Sequence, residues 1–147
     1  MAQPIIKTKG SAGADLSISK DVWLMPFQTK LVMTEYFYDV PDARYFPVNN
    51  NKPPEKVLQV HTDVRPRSSM SKRGILIHLG LIDGDYVGNK VGVIMTNLTP
   101  FPKRVKAGRV AQLVITFNCT GQFFRNEGGD RTGGFGSTNV TPTNTGG

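Results

Sequence analysis

Gly80-Leu81-Ile82-Asp83-Gly84-Asp85-Tyr86-Val87-Gly88 links two apolar runs, residues 74–79 and 90–96. Asp and Gly favour tight turns, and the flanking runs have the length and β-branched content of strands, so the stretch predicts a β-hairpin. Its two carboxylates stand one residue apart, before an aromatic ring. They are read as divided, one facing a cavity and the other capping the turn. A solvated acidic turn is the plainer alternative.

Working outward, the same strand signature recurs along the chain. Residues 5–8, 16–19, 23–25, 29–33, 36–40, 57–64, 104–106 and 110–117 each read as a short strand, several ending at a proline. No helical period of ten or more residues appears. Sixteen Gly and ten Pro in 147 residues argue for many turns. Many short strands at close spacing predict one all-β domain, a barrel or sandwich, spanning residues 1–120. Residues 41–56 contain Pro41, Pro47, Pro53 and Pro54 around three asparagines, and read as an inserted surface loop. From Gly121 glycine becomes frequent and apolar runs vanish, so residues 121–147 are expected to form a flexible tail.

Composition narrows the function classes. No apolar run is long enough to span a membrane. The single cysteine, Cys119, excludes an internal disulfide and fits a reducing, cytoplasmic setting, or a host cytoplasm for a viral chain. Cys119 follows a strand-like run and is expected to be a buried thiol. Only two histidines, His61 and His78, occur, and no carboxylate spacing around them suggests a metal site. His61 is expected to be a solvated strand residue. The net charge of +7 favours anionic partners. The cations are scattered rather than grouped on a helix or finger, so no specific nucleic-acid site is expected.

Three further stretches carry chemistry. Ala12-Gly13-Ala14-Asp15-Leu16 offers small residues that permit close backbone approach. Its Asp15 either bonds nearby turn amides or braces a site. Arg65 to Gly74 concentrates four cations and three serine hydroxyls. That pattern suits either a serine-capped helical turn with a basic face or a phosphate site. In the tail, Asp130-Arg131-Thr132-Gly133-Gly134-Phe135-Gly136-Ser137-Thr138 combines glycine amides, hydroxyls, a guanidinium and a flat ring. Consecutive glycine N–H groups can converge on an anion. No Gly-Lys-Ser/Thr follows, so this is not a Walker loop. A lid that orders on ligand is the favoured reading over a plain linker.

With Pro66-Arg67-Ser68-Ser69 and Gly108-Arg109-Val110-Ala111-Gln112-Leu113 added, these five stretches, in this order, resemble the motifs of the trimeric dUTP pyrophosphatases (dUTPases). The resemblance implies a jelly-roll-like β-barrel that forms a homotrimer with active sites at subunit interfaces. It implies hydrolysis of dUTP to dUMP and pyrophosphate, keeping uracil out of DNA and supplying dUMP for thymidylate synthesis. Asp83 falls on the water-activating aspartate and Tyr86 on the ring beneath the deoxyribose. The uracil pocket falls on Gly80, Leu81, Ile82 and the backbone near Val91 or Gly92. Arg67, Ser68, Ser69 and Gln112 fall on phosphate contacts. The tail lid would place Phe135 on the base and Arg131, Ser137 and Thr138 on phosphates, around Gly136. Mg²⁺ is expected through phosphates and water, without a protein ligand. Departures from the pattern are Gly108 in place of an acidic residue, His78 in place of a small one, a shortened link after Arg131, and the 41–56 insertion, a candidate protein contact. Three other readings stay open: a dUTPase-like regulatory trimer, a relative of dCTP deaminase, and a basic nucleic-acid-binding barrel. The deaminase carries a catalytic glutamate three residues before the strand-ending asparagine, where this chain has Ile94 before Asn97.

Overall fold

The computed structural model describes residues 3–41, 59–125, 128–129 and 131, with Gln122 described in its backbone only. The insertion at 42–56 and the lid residues Phe135, Gly136, Ser137 and Thr138 therefore lie outside the described residues.

Among the described residues nine strands, one short α-helix and a final 3-10 turn (Thr120–Gln122) follow in order: β1 (Ala14–Ile18), β2 (Val22–Leu24), β3 (Thr29–Phe37), β4 (Gln59–Pro66), α1 (Ser68–Lys72), β5 (Ile75–Ile77), β6 (Gly80–Ile82), β7 (Lys90–Asn97), β8 (Lys103–Val105) and β9 (Gly108–Asn118). They form three antiparallel sheets, ordered β1-β9-β4-β6, β3-β7-β5 and β2-β8. β9 is the spine of the largest sheet. Its first half pairs with β1 and its length from Ala111 to Asn118 pairs with β4. The all-β expectation holds, and the architecture is a jelly roll.

The core follows from period-two alternation. Leu16 and Ile18 of β1, Val64 of β4, Ile75 and Ile77 of β5, Val91, Val93 and Met95 of β7, and Val110 and Leu113 of β9 all turn inward and are buried. Tyr38 reaches across this core, its hydroxyl 2.6 Å from that of Thr62. Each large apolar side chain so buried contributes roughly 1.5–3 kcal/mol relative to exposure.

Several strand expectations shift. Residues 29–33 and 36–40, read as two strands, are joined in β3, which carries a register shift between Met33 and Phe37. The shift leaves the Val91 carbonyl without a ladder partner, and the buried Thr34 hydroxyl donates to it at 2.7 Å. Residues 5–8 supply only an isolated bridge, Ile5 to Asp15. The predicted pairing of residues 74–79 with 90–96 holds at its base, and the correction concerns Gly80–Ile82, read as part of the turn but forming a strand. β5 pairs with β7, but the chain then leaves, and β6 pairs instead with β4. Cys119 lies past the end of β9 and is exposed, not buried. His61 is mostly covered rather than solvated: Nε2 is 3.1 Å from Asp63 and Nδ1 is 2.7 Å from the Asn118 amide.

Asn97, fully buried at the end of β7, locks the base of the barrel. Its amide donates to the carbonyls of Leu24, Met25 and Phe101, and its oxygen accepts from the backbone and hydroxyl of Thr99. Asn97→Leu strands several buried backbone groups at about 1–3 kcal/mol each. The expected loss is at least about 3 kcal/mol, seen as a lower urea midpoint at unchanged slope.

Tyr36 supplies a pH marker. Burial first, and then its hydrogen bond to Asp39, push its phenol up to about 12. Because the unfolded phenol titrates near 10, the folded state holds the extra proton above that pH. This contribution to stability is complete below about pH 10 and is lost as pH rises toward 12. Urea midpoints measured from pH 8 to 11 should fall above pH 10, and less steeply in Tyr36→Phe.

Candidate active site

The β5-to-β6 switch builds a slot. The β5–β7 ladder ends with His78 N–H donating to the Ile94 carbonyl at 2.9 Å. Beyond that point no strand among the described residues pairs with this edge of β7, nor with the outer edge of β6. A cavity of about 220 Å³ lies between them, walled by Gly80, Leu81 and Ile82 on one side and by Val91, Gly92 and Ile94 on the other. Two strand edges facing a gap present backbone donors and acceptors that a planar ring can read.

The stretch after β6 closes one end of the slot through two successive turns. Tyr86 N–H donates to the Asp83 carbonyl at 3.1 Å, and Asn89 N–H donates to that of Tyr86 at 3.2 Å. Gly88, at φ +90, makes the reversal that an L side chain resists. Tyr86 is buried, its hydroxyl donating to the Lys90 carbonyl at 2.7 Å and its ring tilted against Tyr38 at 6.3 Å. Burial raises its phenol pKa, with Arg131 opposing. The ring is thereby a fixed wall of the cavity, while Asp83 stays more than half exposed at its mouth.

Asp83 and Asp85 do not divide their roles as expected. Both face Arg131, whose Nη1 lies 2.8 Å from Asp83 Oδ2 and 3.3 Å from Asp85 Oδ1. The turn closed by the Tyr86 N–H to Asp83 carbonyl bond brings the two carboxylates within reach of one cation. The Arg131 guanidinium also sits 4.9 Å from the centre of the Tyr86 ring. Burial disfavours its charge, but the bond to Asp83 and the fields of Asp83 and Asp85 outweigh that, and its pKa rises.

The anion-binding candidates assemble elsewhere. Arg67 Nε lies 3.1 Å from Asp15 Oδ1, and Arg109 Nη1 lies 3.3 Å from Asp15 Oδ2. Asp15 thus braces two guanidiniums rather than turn amides. Arg67 also donates to the Arg109 carbonyl at 3.3 Å. Gln112 donates to the Pro66 carbonyl at 3.0 Å, and Gly13 is small because a Cβ there would lie 2.8 Å from the Gln112 side-chain oxygen. Arg67, not a serine, occupies the N-cap of α1 and makes no side-chain cap, since a guanidinium has no acceptor for the free backbone N–H groups. Ser68 and Ser69 follow, exposed, on the first turn. Asp83 is level with His61, because Ile82 pairs with Thr62. Arg67 is six residues further along β4, about 20 Å away at ~3.3 Å per residue.

Comparison with known proteins decides the family. The family model described as dUTPase matches residues 57–139, more than half of the chain. A deoxyuridine 5'-triphosphate nucleotidohydrolase of Neisseria meningitidis serogroup A is 36% identical over 147 residues, covering 93% of this chain and 87% of that one. This chain belongs to the dUTPase family. The mitochondrial nucleotidohydrolase of Dictyostelium discoideum is 33% identical over 143 residues, covering 93% of this chain and 70% of that one. Among solved structures, the EIAV dUTPase aligns over 92% of both chains with a TM-score of 0.59 and 25% identity. The dUTPase of Staphylococcus bacteriophage 80alpha shares the fold at a TM-score of 0.66 and 19% identity, covering 88% of this chain and 91% of that one.

Within this dUTPase-family chain the structure gathers Gly80, Leu81, Ile82, Tyr86, Gly92 and Arg131 around one cavity, with Asp83 at its mouth. It groups Arg67, Ser69 and Gln112 with Asp15 and Arg109 in the second cluster. Sequence reasoning did not place Val64 or Ile94 in the pocket walls; both are ordinary strand residues whose role depends on the gap between sheets. Asp85 was legible as a turn residue, but not as a partner of Arg131. Among the described residues no three His, Cys, Asp or Glu side chains come together to hold a metal.

Asp15→Asn is expected to lower stability by about 1–2 kcal/mol, since it removes a largely covered acceptor of two charge-assisted bonds. The loss should shrink in ~0.5 M salt, where the remaining Arg67–Arg109 repulsion is screened. Urea titrations at low and high salt test this; a loss independent of salt would mean that packing, not charge, places the arginines.

Proposed function

We propose that the chain hydrolyses dUTP to dUMP and pyrophosphate at a site combining the slot of one subunit with the Asp15–Arg67–Arg109 cluster of a neighbour. The observation that carries this is the placement of Asp83 and Tyr86 on one turn at the end of a base-sized cavity edged by unpaired strand backbone. Uracil enters the slot and bonds to the backbone of β6 and β7. Cytosine exchanges a donor for an acceptor on the same edge and leaves backbone groups unpaired, which a closed polar site rejects strongly. The buried Tyr86 ring lies against the sugar and has no room for a 2′-hydroxyl.

In the reaction, Asp83 accepts a proton from a water in line with the α-phosphorus. The new P–O bond forms as the bond to the bridging oxygen breaks, and pyrophosphate leaves with that electron pair. Arg67 and Arg109, held apart and oriented by Asp15, meet the charge on the phosphate oxygens. Mg²⁺ fits this donor set as an ion carried by the substrate's phosphates, with Asp15 the carboxylate placed to meet its waters, and it would neutralise triphosphate charge. The role of dUMP in thymidylate supply follows from the same reading.

Two features support a multimer, proposed here as a trimer. Asp83 and Arg67 lie roughly 20 Å apart, at opposite ends of the slot, so one chain does not bring its arginine cluster to its own Asp83. The outer face of the β3-β7-β5 sheet also exposes Leu31, Met33, Leu76 and Ile94, an apolar patch of the kind that marks contact surfaces. A deaminase reading is disfavoured because Ile94, at the position of the required glutamate, is an aliphatic wall of the cavity.

Pyrophosphate release from dUTP, dCTP, dTTP and UTP tests the reading, with dUTP turned over at least about a hundredfold better than UTP. Asp83→Asn should abolish turnover while keeping the affinity of a non-hydrolysable dUTP analogue within about tenfold, because size and polarity are retained. Near-normal single-turnover rates in that variant would remove Asp83 from the base role.

A further inference from the structure

Residues 22–29 and 91–102 contain no charged side chain. They supply the turn between β2 and β3 and the loop between β7 and β8. Asn97 ties the two into one pole of the barrel, since the carbonyls of Met25 and Phe101 lie 3.2 and 2.7 Å from the same Asn97 nitrogen. The pole exposes Met25, Phe27, Leu98 and Phe101, with Trp23 half-exposed beside them on β2. Single exposed apolar residues are ordinary, but adjoining ones mark contact surfaces. Phe27 stands out among them. It sits at φ +57, just after Pro26, in a turn closed by the Gln28 N–H donating to the Met25 carbonyl at 3.0 Å. That turn position favours glycine, and a bulky side chain there strains the backbone. Its ring is 65% exposed, so burial offsets little of the strain. Folding alone gives no reason for phenylalanine at this tip.

The backbone of the pole is satisfied from within. The Met25 N–H donates to the Gln28 side-chain oxygen at 2.9 Å, the Thr99 N–H to that of Asn97 at 3.0 Å, and the Phe101 N–H to the Thr99 hydroxyl at 3.3 Å. Such loops can leave water without stranding these polar groups. Around the apolar tip runs a collar of positive charge. Residues 18–30 and 91–106 carry Lys20, Lys30, Lys103, Arg104 and Lys106 against one carboxylate, Asp21. Asp21 is engaged by Arg104, whose Nε lies 2.8 Å from it, and by the Ala107 N–H at 2.8 Å, so it offsets one cation and leaves the lysines in surplus. Arg104 stands directly across the β2–β8 ladder from Trp23. An apolar tip inside a cationic collar matches an anionic lipid surface. Aliphatic and aromatic side chains enter the acyl boundary, an indole sits at headgroup level, and cations meet the acidic headgroups. A nucleic acid would stack on the rings, but it gains little from Met25 and Leu98 and has no use for a self-satisfied backbone.

We propose that this pole docks the protein on an anionic membrane surface, with Phe27, Leu98 and Phe101 entering the boundary between headgroups and acyl chains and Lys20, Lys30, Lys103 and Lys106 holding acidic lipids. The protein lies on the membrane and does not span it. β7 runs from Lys90, beside the slot, to Asn97 at the pole, about 23 Å at ~3.3 Å per residue. Docking therefore leaves the slot open, and it is independent of which nucleotide the slot takes.

Trp23 is the one tryptophan of the chain, so its emission reports on the pole directly. The test is titration of the full-length protein with vesicles of phosphatidylcholine, alone or with about 30% phosphatidylserine, followed by Trp23 emission and by flotation. The mixed vesicles should shift the emission to the blue and carry the protein with them, and phosphatidylcholine alone should bind at least about tenfold more weakly. Rising salt should weaken the binding. Phe27→Gly removes the strain and the ring together. It should raise the melting temperature and yet cut vesicle affinity at least about tenfold, a combination that a purely structural role for the ring does not give. Lys103→Ser should weaken binding about fivefold. No binding to the mixed vesicles, or full binding by Phe27→Gly, would overturn the proposal. So would an emission shift driven by protein concentration alone and lost in Phe27→Gly, which would make the pole a contact between copies of the chain. A shift produced by a dT oligonucleotide and not by vesicles would overturn it in favour of nucleic acid.

Discussion

The rest of the site depends on a change of partner between Ile77 and Gly80. β5 follows β7 for three residues, and then the chain abandons that ladder and joins β4 as β6. Leaving a ladder exposes backbone donors and acceptors, which is unfavourable unless something else satisfies them. Here the exposed edges of β6 and β7 face each other across a cavity rather than open solvent. A continuous hairpin through residues 74–96 would have paired those groups and left no room for a base. The gap between the two edges is thus a consequence of the partner change, bounded by the packed core beside it.

Charge is arranged with the same economy. Asp15 meets two guanidiniums with one carboxylate, leaving the second cluster positive and its cations oriented. Arg131 meets two carboxylates with one guanidinium, leaving the slot's mouth negative. The two clusters are complementary in sign and lie too far apart on one chain to satisfy each other.

Much of this was legible from the amino-acid sequence. Short apolar runs, frequent Gly and Pro and the lack of any helical period determine an all-β domain, because period-two alternation and turn chemistry are local properties of the chain. The five motifs are legible as those of the family that the comparisons show. Even the small-residue turn could be read: Gly13 is a glycine because Gln112 packs against it.

What only the tertiary structure decided is pairing. Residues 74–96 read locally as one hairpin, since adjacent runs of strand type pair by default, and nothing within them records that β4 competes successfully for Gly80–Ile82. The same holds for Asp15 and Arg131, whose side chains reach partners 52, 94, 48 and 46 positions away in the chain. Asn97, read only as the end of a strand, proved to be the buried tie between β7, the turn after β2 and the loop before β8. Local sequence carries conformational preference, but ion pairs and ladders are contacts between distant segments, and their partners are settled only when the whole barrel closes.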